Sequence, residues 1–430
     1  MMAHDQQSSL RVAVLARSVY PLHRYGGLER HVYDLVRCLL ARDVRVTLIT
    51  PPAAANRPAD LAADAVFRHP NLTLSPVPYV TFPFANRRGT TILDRSTAYP
   101  LFGLRAGRLA ARLVTAGDID IVHGLGASVL GYALADCEPG ARAPLVFNPQ
   151  GLEEFGATDP SSAPLKRVGY WPLRVAVRRS ASAADRVIAT DRSLVTPVIT
   201  HLGVRKEVVR VIPNAIEPAD CDRPDAVSRA QALRGELGLQ ADDVLLLSVG
   251  RLEANKGFHI LIRALAMLAQ QNALPARWRW VLVGDGPRRA QLAREIASAG
   301  LSAHVVLTGR ADAGDLHGWY EAATLFVHPT LYEGSSLVTL EAMAHRRPVV
   351  ASRAGGLPDK VIPGVTGWLV PPGNAEALAA AIGKALADAA RLHAMGIAGR
   401  ALVDKEFSWR AATDRLLNVY SELLAQRNSL

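Results

Sequence analysis

Short apolar runs alternate with amphipathic stretches along most of the chain. "RVAVLA" is a continuous apolar run, "YPLHRYGGLE" a glycine loop, "RHVYDLVRCLLARD" has helical spacing and "VRVTLIT" is β-branched. Together they predict a strand, loop, helix, strand unit. Further buried strands are predicted at "DIDIVHGLG", "APLVFNPQG" and "ADRVIATD", separated by helical or irregular sequence. Such alternation implies a parallel sheet covered on both faces. After "VVRVIPNAIEP" the pattern lapses into a polar stretch containing Pro and Asp, then restarts with "DVLLLSVGRLEANKGFHILIRALAMLAQ". Strands are predicted again at "WRWVLVGDGP", "HVVLTGR", "TLFVHPT" and "RPVVASRAGG". The expectation is an α/β chain of two Rossmann-like, doubly wound domains facing a central cleft. The N-terminal domain covers 1–212, a linker region 213–243, and the C-terminal domain 244–407. The last helical pattern, in 408–430, is expected to pack back on the first domain. Ligands of such sheets bind outside the carboxyl ends of the strands.

Composition narrows the class. A length of 430 residues exceeds one ordinary domain, and 49% hydrophobic with 20% charged residues excludes a disordered chain. No apolar run reaches the roughly 18 to 20 residues of a spanning helix, and "MMAHDQQSSL" is too polar for a secretory leader. A cytoplasmic protein is expected. Cys38, Cys137 and Cys221 are far apart and odd in number, matching neither a disulfide framework nor a metal-ligand spacing. A net charge of +10 predicts attraction to phosphates, nucleic acid or a membrane surface without choosing among them.

The chemistry gathers in the second half. In "SVGRLEANKG", Gly250 ends a strand and Arg251 and Lys256 place two cations on a short loop, which suits a diphosphate or a solvated basic loop. Gly284, Asp285 and Gly286 in "VGDGP" bring backbone close to a flat base or ribose, or form a plain turn. "LYEGSSLVTLEAMA" sets Glu333 in a loop, Gly334, Ser335 and Ser336 at a helix start, and Glu341 about 9 to 12 Å along that helix. A helix start favours an anion, and carboxylates accept from hydroxyls. An extended ligand with phosphates in its middle and hydroxyls at both ends fits this layout, as in a nucleotide sugar. A surface glutamate beside an ordinary helix glutamate would fit it too.

Taken together, "SVGRLEANKG", "VGDGP", "HPTLYEGSSLVTLEAMA" and "RPVVASRAGGLPD", with "YGGLERHVYDL" and "IPNAIEP" in the first half, closely resemble the retaining glycosyltransferases of the GT-B fold, family 4. That family's signature is a pair of glutamates spaced like Glu333 and Glu341. The resemblance implies that Glu341 holds the donor ribose and Glu333 approaches the transferred sugar. It implies that Arg251 and Lys256 neutralise the leaving diphosphate, and that Gly334, Ser335 and Ser336 offer backbone N–H groups. Gly26 and Gly27 would let the first loop approach the diphosphate and acceptor. His123 joins the catalytic set by position, although relatives carry their histidine two places later, where this chain has Leu125. Gln150 stands where relatives often have histidine, and Asp359 where glutamate is common.

The implied reaction moves a hexose-type sugar from a nucleoside-diphosphate (UDP or GDP) sugar to a hydroxyl acceptor, which is a glycan, a lipid-linked molecule or a small molecule. It implies no cofactor and no required metal, and "DID" at 118–120 reads as structural. Nucleic acid is not an expected partner. In "LKRVGYWPLRVAVRR", Arg167, Trp171, Arg174 and Arg178 fall at helical spacing, which suits peripheral contact at the inner membrane face, although Pro172 breaks or begins a helix there. The rival readings are a nucleotide-sugar epimerase or a phosphorylase of the same fold, a dehydrogenase, and a catalytically silent nucleotide-sugar-binding protein. The dehydrogenase is disfavoured because "YGGLERH" lacks Gly-x-Gly-x-x-Gly and no acidic residue closes "VRVTLIT".

Overall fold

The computed structural model describes residues 9–23, 26–53, 64–81, 91–136, 142–155 and 168–429. The chain forms two compact units, Met1–Ile212 with Ala412–Leu430, and Pro213–Ala411.

The first unit holds a seven-stranded sheet of β1 (Arg11–Leu15), β2 (Arg45–Thr50), β3 (Leu72–Pro76), β4 (Ile121–Leu125), β5 (Leu145–Asn148), β6 (Arg186–Ala189) and β7 (Val209–Val211). Its order is β3-β2-β1-β4-β5-β6-β7, and every pair is parallel. β1, β4 and β5 are apolar and buried almost throughout, as a sheet covered on both faces requires. One face packs under the long helix Thr91–Thr115 and the helix Trp171–Ser182, through Phe102, Ala106, Ala110, Leu173 and Val177. The helix Gly27–Leu40 follows β1 and buries Val32, Leu35, Val36 and Leu39. The C-terminal helix Trp409–Asn428 belongs to this unit from Ala412 onward. It buries Val419, Tyr420 and Leu423, and its Asp414 and Glu422 pair with Arg42 and Arg210.

The second unit holds a six-stranded parallel sheet of β8 (Val244–Val249), β9 (Trp278–Val283), β10 (Val305–Gly309), β11 (Leu325–His328), β12 (Val349–Ser352) and β13 (Gly367–Val370), ordered β10-β9-β8-β11-β12-β13. Each sheet reverses its direction of growth once, between β1 and β4 and between β8 and β11, and this is where an open α/β sheet leaves a crevice. Residues 213–243, read as a linker, instead carry the helix Pro224–Glu236. Ala226, Ala230 and Leu233 are buried on it, so the segment is part of the second unit's wall; its small apolar residues among charges hide the helical face.

Asp120 of "DID" accepts from the Arg11 backbone N–H at 2.9 Å and from the Arg11 guanidinium at 2.6 Å, tying the start of β4 to β1. Pro172 lies in the first turn of the helix Trp171–Ser182, where its missing N–H costs nothing. Trp171 is 62% exposed at that helix start, whereas Arg178 is spent on the carbonyl of His201 at 2.7 Å. Arg167 and Cys137 lie outside the described residues. Among the described residues no helix is long and apolar enough to cross a membrane.

Candidate active site

The loops that follow β8, β9, β11 and β12 gather at the switch point of the second sheet. Backbone contacts hold them together. Gly250 N–H donates to Val283 O at 3.0 Å, Leu252 N–H to Asp285 O at 3.1 Å, and Gly284 N–H to Gly309 O at 2.7 Å. A Cβ on Gly284 would lie 1.9 Å from Gly250 O, and one on Gly286 2.7 Å from Leu252 N. The packing of one loop on another therefore requires these glycines. Asp285 is exposed, with Oδ1 accepting from the Gly286 N–H.

The same device brings a cation to the first glutamate. Gly257, at φ +68, lies so close to Pro329 that a Cβ would be 1.9 Å from its carbonyl oxygen. Beside it the carbonyl of Asn255 accepts from the Leu331 N–H at 2.7 Å and from Thr330 Oγ1 at 3.0 Å. Lys256, between them, reaches Glu333 Oε2 at 2.9 Å. His328, the last residue of β11, is fully buried and contacts the same oxygen through Nε2 at 2.7 Å. On the far side Gly355, at φ +51, presses against the Glu333 carbonyl, and Gly356 N–H donates to Gly334 O at 3.2 Å. That clamp is the structural content of "AGG".

Glu333 is accordingly a held anion. Burial pushes its pKa up, but the hydrogen bond and charge of His328, followed by Lys256, outweigh it and leave the carboxyl at about 2. Glu341 has the opposite environment: burial raises its pKa, opposed only by the Tyr320 hydroxyl, which donates at 2.7 Å. Between them begins the helix Leu337–Ala344, with Ser336 as N-cap and no side chain capping its first N–H groups. Ser336 Oγ turns to Thr339 Oγ1 at 2.9 Å. Lys360, fully buried, donates to Ser335 Oγ at 3.2 Å. Arg251 is 76% exposed and rests on Glu253 at 2.8 Å. A Cβ on Gly334 would meet nothing within 4 Å, so this stretch of backbone is open.

The structure thus brings together Lys256, Glu333, Gly334, Ser335 and Ser336 ahead of one helix, with Glu341 further along it, while Gly250 and Gly284 pack on each other at the ends of β8 and β9. It adds His328 and Lys360, which sequence reasoning missed. His328 stood in plain view as a histidine closing a buried strand, and Lys360 as a lone cation in "LPDKVI".

In the first unit, Gly26 has extended φ −165, so its backbone does not demand glycine, and a Cβ on Gly27 would meet nothing within 4 Å. His123 lies in the core of this unit. It is 2% exposed, its Nδ1 lies 2.6 Å from the Tyr420 hydroxyl, and burial followed by the neighbouring His31 lowers its pKa to about 3. The ring packs the C-terminal helix onto β4 through Nδ1, while its Nε2 is buried with no hydrogen-bond partner among the described residues. The open feature here is a pocket of about 180 Å³ beyond β4 and β5, lined by Arg17, Arg95, Tyr99, Gln150, Gly151 and Glu154 among others. Its rim holds two non-glycine residues at positive φ, Gln150 at +67 and Leu152 at +53, the kind of strained backbone found at functional sites.

Comparison with known proteins agrees with this geometry. The profile of "Glycosyl transferases group 1" matches residues 230–402, and that of "Glycosyltransferase Family 4" matches residues 25–220. The α-maltose-1-phosphate synthase of Mycolicibacterium smegmatis is 30% identical over 435 residues, which covers 97% of this chain and 100% of that protein. The GDP-mannose-dependent α-(1-6)-phosphatidylinositol monomannoside mannosyltransferase of the same organism is 34% identical, covering 66% of this chain and 75% of that protein. The solved sucrose-phosphate synthase of Thermosynechococcus elongatus superposes with a TM-score of 0.73 at 25% identity, over 97% of this chain and 100% of that one. The chain belongs to glycosyltransferase family 4 and is a glycosyltransferase of the GT-B fold.

Proposed function

We propose that this enzyme moves a hexose-type sugar from a nucleoside-diphosphate sugar to an acceptor hydroxyl with retention of anomeric configuration, without a metal in the transfer. The observation that carries the reading is the pair Glu333 and Glu341 about one uncapped helix start, the first ionised beside Lys256 and His328, the second half-buried beside the Tyr320 hydroxyl. In this reading the first-turn N–H groups, Lys256 and Arg251 meet the charge of the departing diphosphate, as fixed donors and cations stabilise a leaving group where no ion does. Glu341 accepts from the donor ribose. Glu333, fixed as an anion, faces the positive charge that develops on the transferred sugar as its bond to the diphosphate breaks. One relative's name specifies GDP-mannose as its donor, which supports the donor class.

For the acceptor, the reading is a hydroxyl on a molecule that carries phosphate. The names of both relatives contain a phosphate, on maltose in one and in phosphatidylinositol in the other. In the first unit the pocket beyond β4 offers Arg17 and Arg95 for such an anion. The test is nucleoside diphosphate release over a panel of UDP and GDP sugars, with a sugar 1-phosphate, an inositol phosphate, phosphatidylinositol vesicles or no acceptor, followed by NMR of the new anomeric centre. Release that depends on one of these acceptors and yields the donor's own anomer is expected. Conversion of a donor to another sugar nucleotide with no acceptor would make the protein an epimerase, and tight donor binding without turnover on any acceptor would make it a binding protein.

A further inference from the structure

Behind Glu341, on the other side of Tyr320, the second unit brings three metal-ligating side chains together from distant parts of the chain. Cys221 ends the short turn Pro218–Cys221, His317 lies in the helix Ala313–Ala322, and His345 directly follows the helix Leu337–Ala344. One ligating atom from each lies within 4.8 Å of the other two. Cys221 is 6% exposed and His345 2%, while His317 is half-buried and leaves a way in from solvent.

The orientation of the rings is what distinguishes this cluster from a chance meeting. His345 Nδ1 lies 3.1 Å from Glu321 Oε2, and Arg347 donates at 3.0 Å to the other oxygen of that carboxylate. A carboxylate on one ring nitrogen fixes the tautomer and leaves the opposite nitrogen as a lone-pair donor, the usual outer partner of a metal-bound histidine. Here that nitrogen is Nε2, and it points at His317 Nδ1 from 2.9 Å. Two imidazole nitrogens on one tetrahedral zinc stand about 3.3 Å apart, so a shift of a few tenths of an ångström accommodates an ion. Tyr320 stacks on His345 with centroids 5.5 Å apart and planes 14° apart, which holds the ring in place.

We propose that Cys221, His317 and His345 form a structural site for a soft divalent cation, zinc above all, with water in the fourth position. One thiolate with two imidazoles is a borderline-soft donor set that suits zinc and disfavours magnesium or calcium. In the ion-free site His317 Nδ1–H donates to His345 Nε2; on loading, the Cys221 thiol proton and that Nδ1 proton pass to solvent, and His317 takes up a proton on its outer Nε2, so that Nδ1 binds as a neutral donor. The ion would join three segments that the sequence holds far apart, one of them the helix that carries Glu341. Its coordination does not depend on the donor or acceptor proposed above, and it lies one ring, Tyr320, from Glu341.

The test uses the untagged full-length chain, stripped with chelator and titrated with Co²⁺. A thiolate-to-cobalt charge-transfer band with tetrahedral d–d bands is expected at one ion per chain, bleached by added Zn²⁺. Zinc at a hundredfold excess over its dissociation constant should raise the unfolding midpoint by roughly 5 to 10 °C. Cys221→Ser should lose the band, and His317→Gln, at a half-exposed position that tolerates exchange, should lose most of the zinc-dependent shift. Absence of the band in the unsubstituted chain overturns the proposal, as does its persistence in Cys221→Ser, which would assign it to another thiol.

Discussion

Replacing Glu333 by Gln interrogates the site before any substrate is added. The side chain is 10% exposed and one of its oxygens is shared by Lys256 at 2.9 Å and His328 at 2.7 Å. Burial alone would raise its pKa, yet the two partners bring it from 4.5 to about 2. At about 1.4 kcal/mol per unit, that lowering corresponds to about 3 kcal/mol of stability at neutral pH. Because the folded-state value is the depressed one, this stability is whole above pH 4.5 and is lost as the pH falls from there through about 2. Gln keeps the shape and an acceptor oxygen but has no charge to lose. Unsubstituted enzyme and Glu333→Gln should therefore differ by about 3 kcal/mol at pH 7 and by roughly half of that or less at pH 3. Urea unfolding followed by tryptophan fluorescence is the suitable assay, since Trp278, Trp280, Trp319, Trp368 and Trp409 lie in the second unit and only Trp171 lies in the first. A gap that is equal at the two pH values, or absent from both, refutes the held anion.

Lys256→Ala should lower kcat/KM by about 10² or more, and Arg251→Ala by less, because Arg251 is 76% exposed and must leave Glu253 to reach a phosphate; near-normal turnover in both Lys256→Ala and Glu333→Gln would dismiss the residue assignment. Gly257→Ala forces a Cβ against the Pro329 carbonyl at φ +68 and should cost about 1 to 3 kcal/mol by urea unfolding. Tyr420→Phe removes the partner of His123 and should destabilise the first unit by about 1 to 3 kcal/mol while kcat stays within about twofold; a tenfold fall in kcat at unchanged stability would return His123 to the chemistry. Charge reversal at Arg174 and Arg178, beside the exposed Trp171, should abolish sedimentation with anionic vesicles if that helix start meets a membrane, and unchanged sedimentation would exclude this surface.

The central strands were legible because their side chains are apolar on both faces, as in "RVAVL", "VLLLSV" and "LFVH". β3, "LTLSP", escaped because it is polar and largely exposed, and the helix Pro224–Glu236 because alanines make up much of its buried face. The glutamate pair and Lys256 were legible by spacing and family pattern. The reason for their neighbouring glycines was not, since contacts such as Gly284 against Gly250 or Gly355 against Glu333 exist only once the loops have folded. The setting of His123 was illegible for a related reason: the residue that contacts its Nδ1, Tyr420, lies at the far end of the chain. The Cys221 cluster is illegible in the same way, because its ligands share no local spacing.

The two glutamates that look alike in "LYEGSSLVTLEAMA" differ in what they can exchange with a ligand. Glu333 already has Lys256 and His328 on one oxygen, so its negative charge is retained whether or not a sugar is present. Glu341 has one donor, the Tyr320 hydroxyl, and burial works against its charge. A ribose diol would supply the hydrogen bonds that an ionised carboxylate in such a place lacks, and burial makes those bonds strong. On the proposed function, recognition of the nucleoside would be concentrated at Glu341, which has the fewer partners among the described residues, while the anion at Glu333 would face the positive charge that grows as the sugar departs. Glu341→Gln should therefore act mainly through the donor's KM and Glu333→Gln mainly through kcat, a division that steady-state kinetics on the best donor would display. Equal effects of both substitutions on KM and kcat would show that the two carboxylates act as one unit.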